Sequence, residues 1–128
     1  MSWGPVEKRV GKRRQIRSVP MAWVRDPRNP DPWAADKTPD GRIVELSVSG
    51  AGMVAITHPY LEVGSLVMIT CAGLVGSVYV RRIEHDLYPG ESYYGVEFAE
   101  ANSALAETLQ KTYLLKVTNA PSAYIPRG

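Results

Sequence analysis

Arg42-Ile43-Val44-Glu45-Leu46-Ser47-Val48, then Ser49-Gly50-Ala51-Gly52, then Met53-Val54-Ala55-Ile56-Thr57: this stretch decides the fold class of a 128-residue chain. The first segment alternates. Val44, Leu46 and Val48 face one way and Ile43, Glu45 and Ser47 the other, the period of a half-buried strand. Ser49–Gly52 carries two glycines and reads as a turn, and Met53–Thr57 is a second apolar run, so the pair predicts a hairpin. His58-Pro59 stops it, because proline cannot donate to a sheet ladder.

The same grammar extends in both directions. Towards the C-terminus, Gly64 precedes the apolar run Ser65–Cys71 and Ala72-Gly73 closes it. Ser77–Glu84 is rich in strand formers (Val78, Tyr79, Val80, Ile83). Tyr88-Pro89-Gly90 turns the chain into Tyr93–Phe98, where Tyr94, Val96 and Phe98 share a face. Towards the N-terminus, Val19–Val24 reads as a first strand with Pro20 at its start or on an edge. Residues 26–41 hold Pro27, Pro30, Pro32 and Pro39 and read as a long loop, neither helix nor central strand. One segment has helical period: in Asn102–Val117, Leu105, Leu109 and Tyr113 recur four apart. Asn102 or Ser103 can cap it, Glu107 lies early and Lys111 and Lys116 late, and Pro121 ends it. Six short strands and one C-terminal helix predict an all-β chain, a small antiparallel barrel or sandwich.

Composition excludes several classes. The length fits one domain, and 45% hydrophobic residues suffice for an ordinary core. Cys71, the single cysteine, can form neither an internal disulfide nor a CxxC site; in an apolar strand it reads as a buried, inert thiol. Apolar runs fall short of the ~20 residues that span a bilayer, and no apolar segment follows the basic N-terminus. The expectation is a cytoplasmic chain with no membrane span. His58 and His85 lack metal-ligand spacing, no phosphate-loop or nucleophile-elbow motif occurs, and the carboxylates are scattered. A non-enzymatic, metal-free and cofactor-free chain is expected. Tyr79, Tyr93 and Tyr94 could form a base-stacking platform, but on half-buried strands they read first as packing.

Charge is segregated. Residues 1–28 carry eight cations against two anions, and residues 29–128 carry seven against eleven. The sequence therefore divides into a basic, flexible N-terminal arm (1–18), a β-barrel with helix (19–121) and a tail (122–128). A basic arm on a mildly acidic body points to an anionic partner. Within the arm, Arg13 and Arg17 stand four apart and can fork hydrogen bonds to phosphate oxygens or to the O6/N7 edge of guanine. Glu45 and Ser47, projecting together beside Gly50, supply acceptors for guanine's N1–H and N2–H donors.

At these residues the sequence resembles a known family. Arg13-Arg14-Gln15-Ile16-Arg17 resembles the RxxxR motif of PilZ domains, and Glu45–Gly50 resembles their (D/N)xSxxG motif, with Glu45 where the family has Asp or Asn. Val63–Val67 and Tyr94-Gly95-Val96-Glu97-Phe98 resemble further strands of the family, so the likeness runs over residues 12–117. It implies a six-stranded antiparallel Greek-key, split β-barrel with one C-terminal α-helix. It also implies a site for cyclic di-GMP at Arg13, Arg14, Arg17, Glu45, Ser47 and Gly50, with Gly50 permitting a turn. Ligand binding would order the arm and relay the signal to an unidentified protein partner. Four charge-assisted bonds set against the cost of ordering the arm give an expected affinity near micromolar, about −8 kcal/mol. Two alternatives stay open. One is a PilZ-fold adaptor acting through protein contacts alone. The other is an RNA- or DNA-binding barrel, for which the body offers few cations: Arg42, Arg81 and Arg82 across residues 42–98.

Overall fold

In the computed structural model, which describes residues 13–114, backbone pairing organises six antiparallel strands. These are β1 (Arg14–Trp23), β2 (Gly41–Leu46), β3 (Gly50–Ile56), β4 (Leu66–Cys71), β5 (Leu74–Tyr88) and β6 (Glu91–Phe98). Neighbours run β1-β2-β3-β6-β5-β4, and the ladder returns to its start where Ala22 pairs with Thr70 and Trp23 with Ile69. This last seam is short beside the ladder from Gly50↔Glu97 to Ile56↔Glu91 that joins β3 to β6. The ring is therefore uneven.

Each hairpin has a local cause. Ala72 and Gly73 both adopt positive φ (53° and 76°) between paired Cys71 and Leu74, the twist that suits a two-residue antiparallel turn. At β5–β6, Pro89 fixes one turn residue and Gly90 takes φ 80° between paired Tyr88 and Glu91. Between β2 and β3 the Ser47 N–H donates to the Gly50 carbonyl (2.9 Å), and the Ser47 hydroxyl accepts from the Gly50 N–H (3.1 Å).

The core is the inward face of this sheet. Met21, Ile43, Leu46, Met53, Ile69, Val78, Val80, Tyr94 and Val96 are all buried, and Tyr94, Val96 and Phe98 share that face as the alternation requires. Helix α2 (Ala104–Leu109) adds Leu105 and Leu109 to it. Ser103 caps α2 by accepting from the Ala106 N–H, and Gly76 leaves room for Leu105, since a methyl there would lie 2.5 Å from its Cδ2. A π-helical turn, Gln110–Leu114, continues α2. The expected Lys116 and Val117 end of the helix lies outside the described residues, as do positions 1–12 of the arm and the 122–128 tail.

Three sequence expectations are corrected. Strand β1 begins at Arg14, so Arg14–Ser18 belong to the sheet and not to a flexible arm. The proline-rich loop holds a short helix, α1 (Ala34–Lys37), in the proline-free interval between Pro32 and Pro39. Asp31 supports its start, its carboxylate accepting from the Trp33 N–H (2.9 Å) and its carbonyl from the Ala34 N–H (3.1 Å). Third, the simple alternation of residues 42–48 fails. Ile43 pairs with Met53 and Glu45 with Gly52, so Val44 is an extra residue. That bulge puts both Ile43 and Leu46 in the core and leaves Glu45 on the outer face.

The loop is anchored at its far end by Asp40, a buried carboxylate. It accepts from the Trp23 N–H (2.8 Å) and from both terminal nitrogens of Arg25 (2.9 and 3.0 Å). Burial alone would raise its pKa. Hydrogen bonds from Arg25 and Trp23, with the Arg25 charge, outweigh burial and hold it below the ordinary aspartate range.

Candidate ligand-binding groove

A groove of about 600 Å³ opens on the outer face of the sheet, lined by Arg13, Glu45, Arg81, Arg82, Glu84, Tyr93 and Gly95. Register builds it. Glu45 on β2 pairs with Gly52 on β3, Gly52 with Gly95 on β6, and Gly95 with Arg82 on β5. One cross-strand row thus has side chains at its ends and glycines in the middle. At ~4.8 Å per strand the row spans roughly 14 Å, with a floor of bare backbone.

Bulges aim the walls. Val80 pairs with Val96 and Arg82 with Gly95, so Arg81 is an inserted residue, and both Arg81 and Arg82 are exposed although consecutive. In an unbroken strand one of them would point into the core. The Val44 bulge likewise sets Glu45 on the facing wall.

Tyr93 lies across the floor. A methyl added to Gly52 would sit 2.4 Å from the Tyr93 hydroxyl and 2.7 Å from Glu45 Oε1, and one on Gly95 would sit 3.7 Å from Tyr93 Cε2. Gly52 is what lets the ring rest on the sheet, an aromatic side chain covering a strand glycine, and Gly95 lies at ordinary contact distance from its edge. From there the Tyr93 hydroxyl donates to Glu45 Oε1 at 2.9 Å, and the Arg82 guanidinium stands 5.7 Å from the ring centroid. Burial raises the Tyr93 pKa, the hydrogen bond and charge of Glu45 raise it further, and Arg13 and Arg82 oppose the shift. Tyr93 is therefore a protonated donor at neutral pH.

Arg81 and Arg82 are held lightly. Arg82 pairs with Glu84, and Arg81 with Glu97 at 2.7 Å while also covering the Tyr79 ring at 4.9 Å. These pairs are about half exposed and worth ~0–1 kcal/mol each, so an anion can recruit either arginine at small cost. Arg13 enters from the other side, its Nη2 donating to the Val96 carbonyl at 3.3 Å.

Of the six residues expected at the site, Arg13 and Glu45 meet in this groove, and Arg14, Arg17, Ser47 and Gly50 are not among its lining. Arg14, opposite Leu46, and Arg17, within the irregular stretch between Gln15 and Val19, are exposed on β1. Ser47 does not project beside Glu45. It is 1% exposed, with its hydroxyl spent on the turn. Gly50 does not supply left-handed freedom either: its φ is not positive. It is required because a Cβ would lie 2.1 Å from the Val96 carbonyl oxygen, in strand β6. Arg81 and Arg82 were not expected in the site, and Tyr93, a candidate for base stacking, reads from sequence first as packing. The signal for the arginines was present, since two successive charged residues between Val80 and Ile83 break the alternation as a bulge does.

Among the described residues no cluster of three or more His, Cys, Asp or Glu could hold a metal ion, and no helix is long and apolar enough to cross a membrane. No protein-family model matches the chain, and no curated protein matches it.

Proposed function

We propose that the chain is a receptor module for cyclic di-GMP, built on the antiparallel barrel of PilZ domains. One observation carries the reading: Arg13 and Glu45, distant in sequence and both marked by the motif resemblance, line a single groove with Arg81 and Arg82. Three guanidiniums around a backbone floor suit a ligand with two phosphates and flat bases. Arginine forks phosphate oxygens bidentately and stacks on planar rings, and a carboxylate accepts from guanine's N1–H and N2–H. Because β1 is already strand from Arg14, little of the Arg14–Arg17 segment remains to be ordered, which lowers the entropic cost of binding. The relay to a protein partner would then run through residues N-terminal to Arg13.

Calorimetric titration with cyclic di-GMP, with GTP and a single-stranded oligonucleotide as controls, tests the reading. Micromolar binding with a shallow salt dependence is expected for cyclic di-GMP alone, and Arg13→Ala should abolish it. Tighter binding of the oligonucleotide with a steep salt slope would replace this reading with polymer binding. A second reading, a PilZ-fold adaptor without nucleotide, is favoured by one arrangement: Glu45 is already occupied by Tyr93 and the Ser47 hydroxyl is closed into its turn. Absence of any heat with all three ligands would select it.

A further inference from the structure

We propose that Tyr93 gates the groove: its ring is the group that a planar base must displace from the Gly52–Gly95 floor before Glu45 can accept from that base. The inference rests on the nucleotide reading above and concerns how the same site is controlled. The hydroxyl of Tyr93 occupies Glu45 Oε1 at 2.9 Å, the acceptor that guanine would use. The ring covers Gly52, where a methyl would lie 2.4 Å from its hydroxyl, and its Cε2 edge lies within contact distance of the Gly95 position. Its flank faces the Arg82 guanidinium, the wall on which a base would stack. Tyr93 thus fills the position of a planar, donor-bearing ligand, contacting an acceptor at one end and a cation along its face.

The length of Glu45 belongs to this arrangement. A carboxylate shorter by one methylene, ~1.5 Å, would not reach the hydroxyl across the width of Gly52 without a shift of strand β2. The glutamate therefore couples to Tyr93. Arg13, Arg82 and Glu84 are the other charged groups at the ring. Arg82 is turned to Glu84, and the Tyr93 hydroxyl donates to Glu45 Oε1. Opening needs rotation about the two side-chain torsions of one tyrosine, at the loss of one hydrogen bond to a charged acceptor and one ring–guanidinium contact.

The test is a double-mutant cycle on cyclic di-GMP affinity with wild type, Tyr93→Phe, Glu45→Gln and the double variant. Phenylalanine keeps the ring's shape and its packing on the glycines and removes only the latch. Tyr93→Phe should bind about tenfold to a hundredfold tighter than wild type, the range set by one hydrogen bond to a carboxylate. In the Glu45→Gln background the amide oxygen still accepts from the hydroxyl but the charge is gone, so the same change should move affinity by less than in wild type, about twofold to tenfold. Binding by Tyr93→Phe alone, with none by wild type, also supports a gate. Wild-type binding with Tyr93→Phe equal or weaker overturns the gate and leaves the receptor reading standing. If neither protein binds, both ideas fall together.

Discussion

Gly50→Ala separates two roles that one glycine could have in a polar motif at a strand end. The motif resemblance expects Gly50 to permit a turn close to ligand. The structure puts its Cα against strand β6: an added Cβ would lie 2.1 Å from the Val96 carbonyl oxygen and 3.1 Å from the Glu97 Cα. Contact with an oxygen normally begins above 3 Å, and the obstacle is backbone, so the strands must part by about an ångström or the ladder must slip. Val96 is fully buried and Gly50 pairs with Glu97 at the start of the β3–β6 ladder. Forced insertion of a methyl into such packing costs about 1–3 kcal/mol, with the alanine's better backbone entropy returning less than about 1 kcal/mol. Urea unfolding followed by tryptophan fluorescence should therefore show Gly50→Ala less stable by roughly 1–2 kcal/mol at unchanged m-value. Because the Val96 carbonyl also accepts from Arg13, the cyclic di-GMP binding proposed above should weaken in the folded variant, but by less than about tenfold, near 1.4 kcal/mol. An unchanged urea midpoint with binding lost entirely would refute the packing argument and return Gly50 to the ligand.

Other outcomes follow from the anchored loop and the buried thiol. Asp40→Ala should destabilise by about 1–3 kcal/mol, because it leaves the buried Trp23 N–H without its acceptor, whereas Arg25→Ala should cost under ~1 kcal/mol, since that guanidinium is 71% exposed; equal losses in urea melts would contradict the assignment. The Asp40 carboxyl is held below its unfolded value, so its contribution is complete above about pH 4, is lost as pH falls through the folded pKa, and should vanish from the acid limb of the stability profile in Asp40→Asn. Cys71 is fully buried and its pKa is pushed up to about 12, first by burial and then by Asp36; an aromatic disulfide reagent at pH 8 should leave it unmodified in the native protein and react fully on denaturation, and rapid native labelling would show the strand to be open.

Much of the sheet is legible in the sequence because its signals are local. Tyr94, Val96 and Phe98 alternate without interruption and are all buried; Pro89-Gly90 and Ala72-Gly73 mark turns whose backbone angles those residues favour. Local reading failed where tertiary contacts overrode period. Strand β1 starts at Arg14 because Arg14 and Gln15 find partners in Leu46 and Glu45, although a polar, cationic run has little strand preference of its own. The Pro-rich loop is not shapeless, because Asp31 can start a helical turn in the gap between prolines and Asp40 has Trp23 and Arg25 to bind. Neither partner is near in sequence.

The groove was half legible, and the reason is physical. A motif marks residue types at fixed spacing along one strand, so it found Arg13 and Glu45. A groove on a sheet is a property of register, set by which residues of four strands fall in one row. Gly52 and Gly95 become a floor only because they pair with each other, and Arg82 becomes a wall only because the Arg81 bulge brings it opposite Gly95. The bulge at Val44 acts in the same way on Glu45. Slipping either bulge by one residue would turn the wall side chain inward and bring a hydrophobic neighbour outward, Val44 on one side or Ile83 on the other. The groove therefore depends on two irregularities that the core tolerates: the Val44 bulge still buries Ile43 and Leu46, and the Arg81 bulge still buries Val80. Deleting Arg81 should accordingly leave a folded, regular β5 with Val80 inward and Arg82 still opposite Gly95, the groove losing only the Arg81 guanidinium.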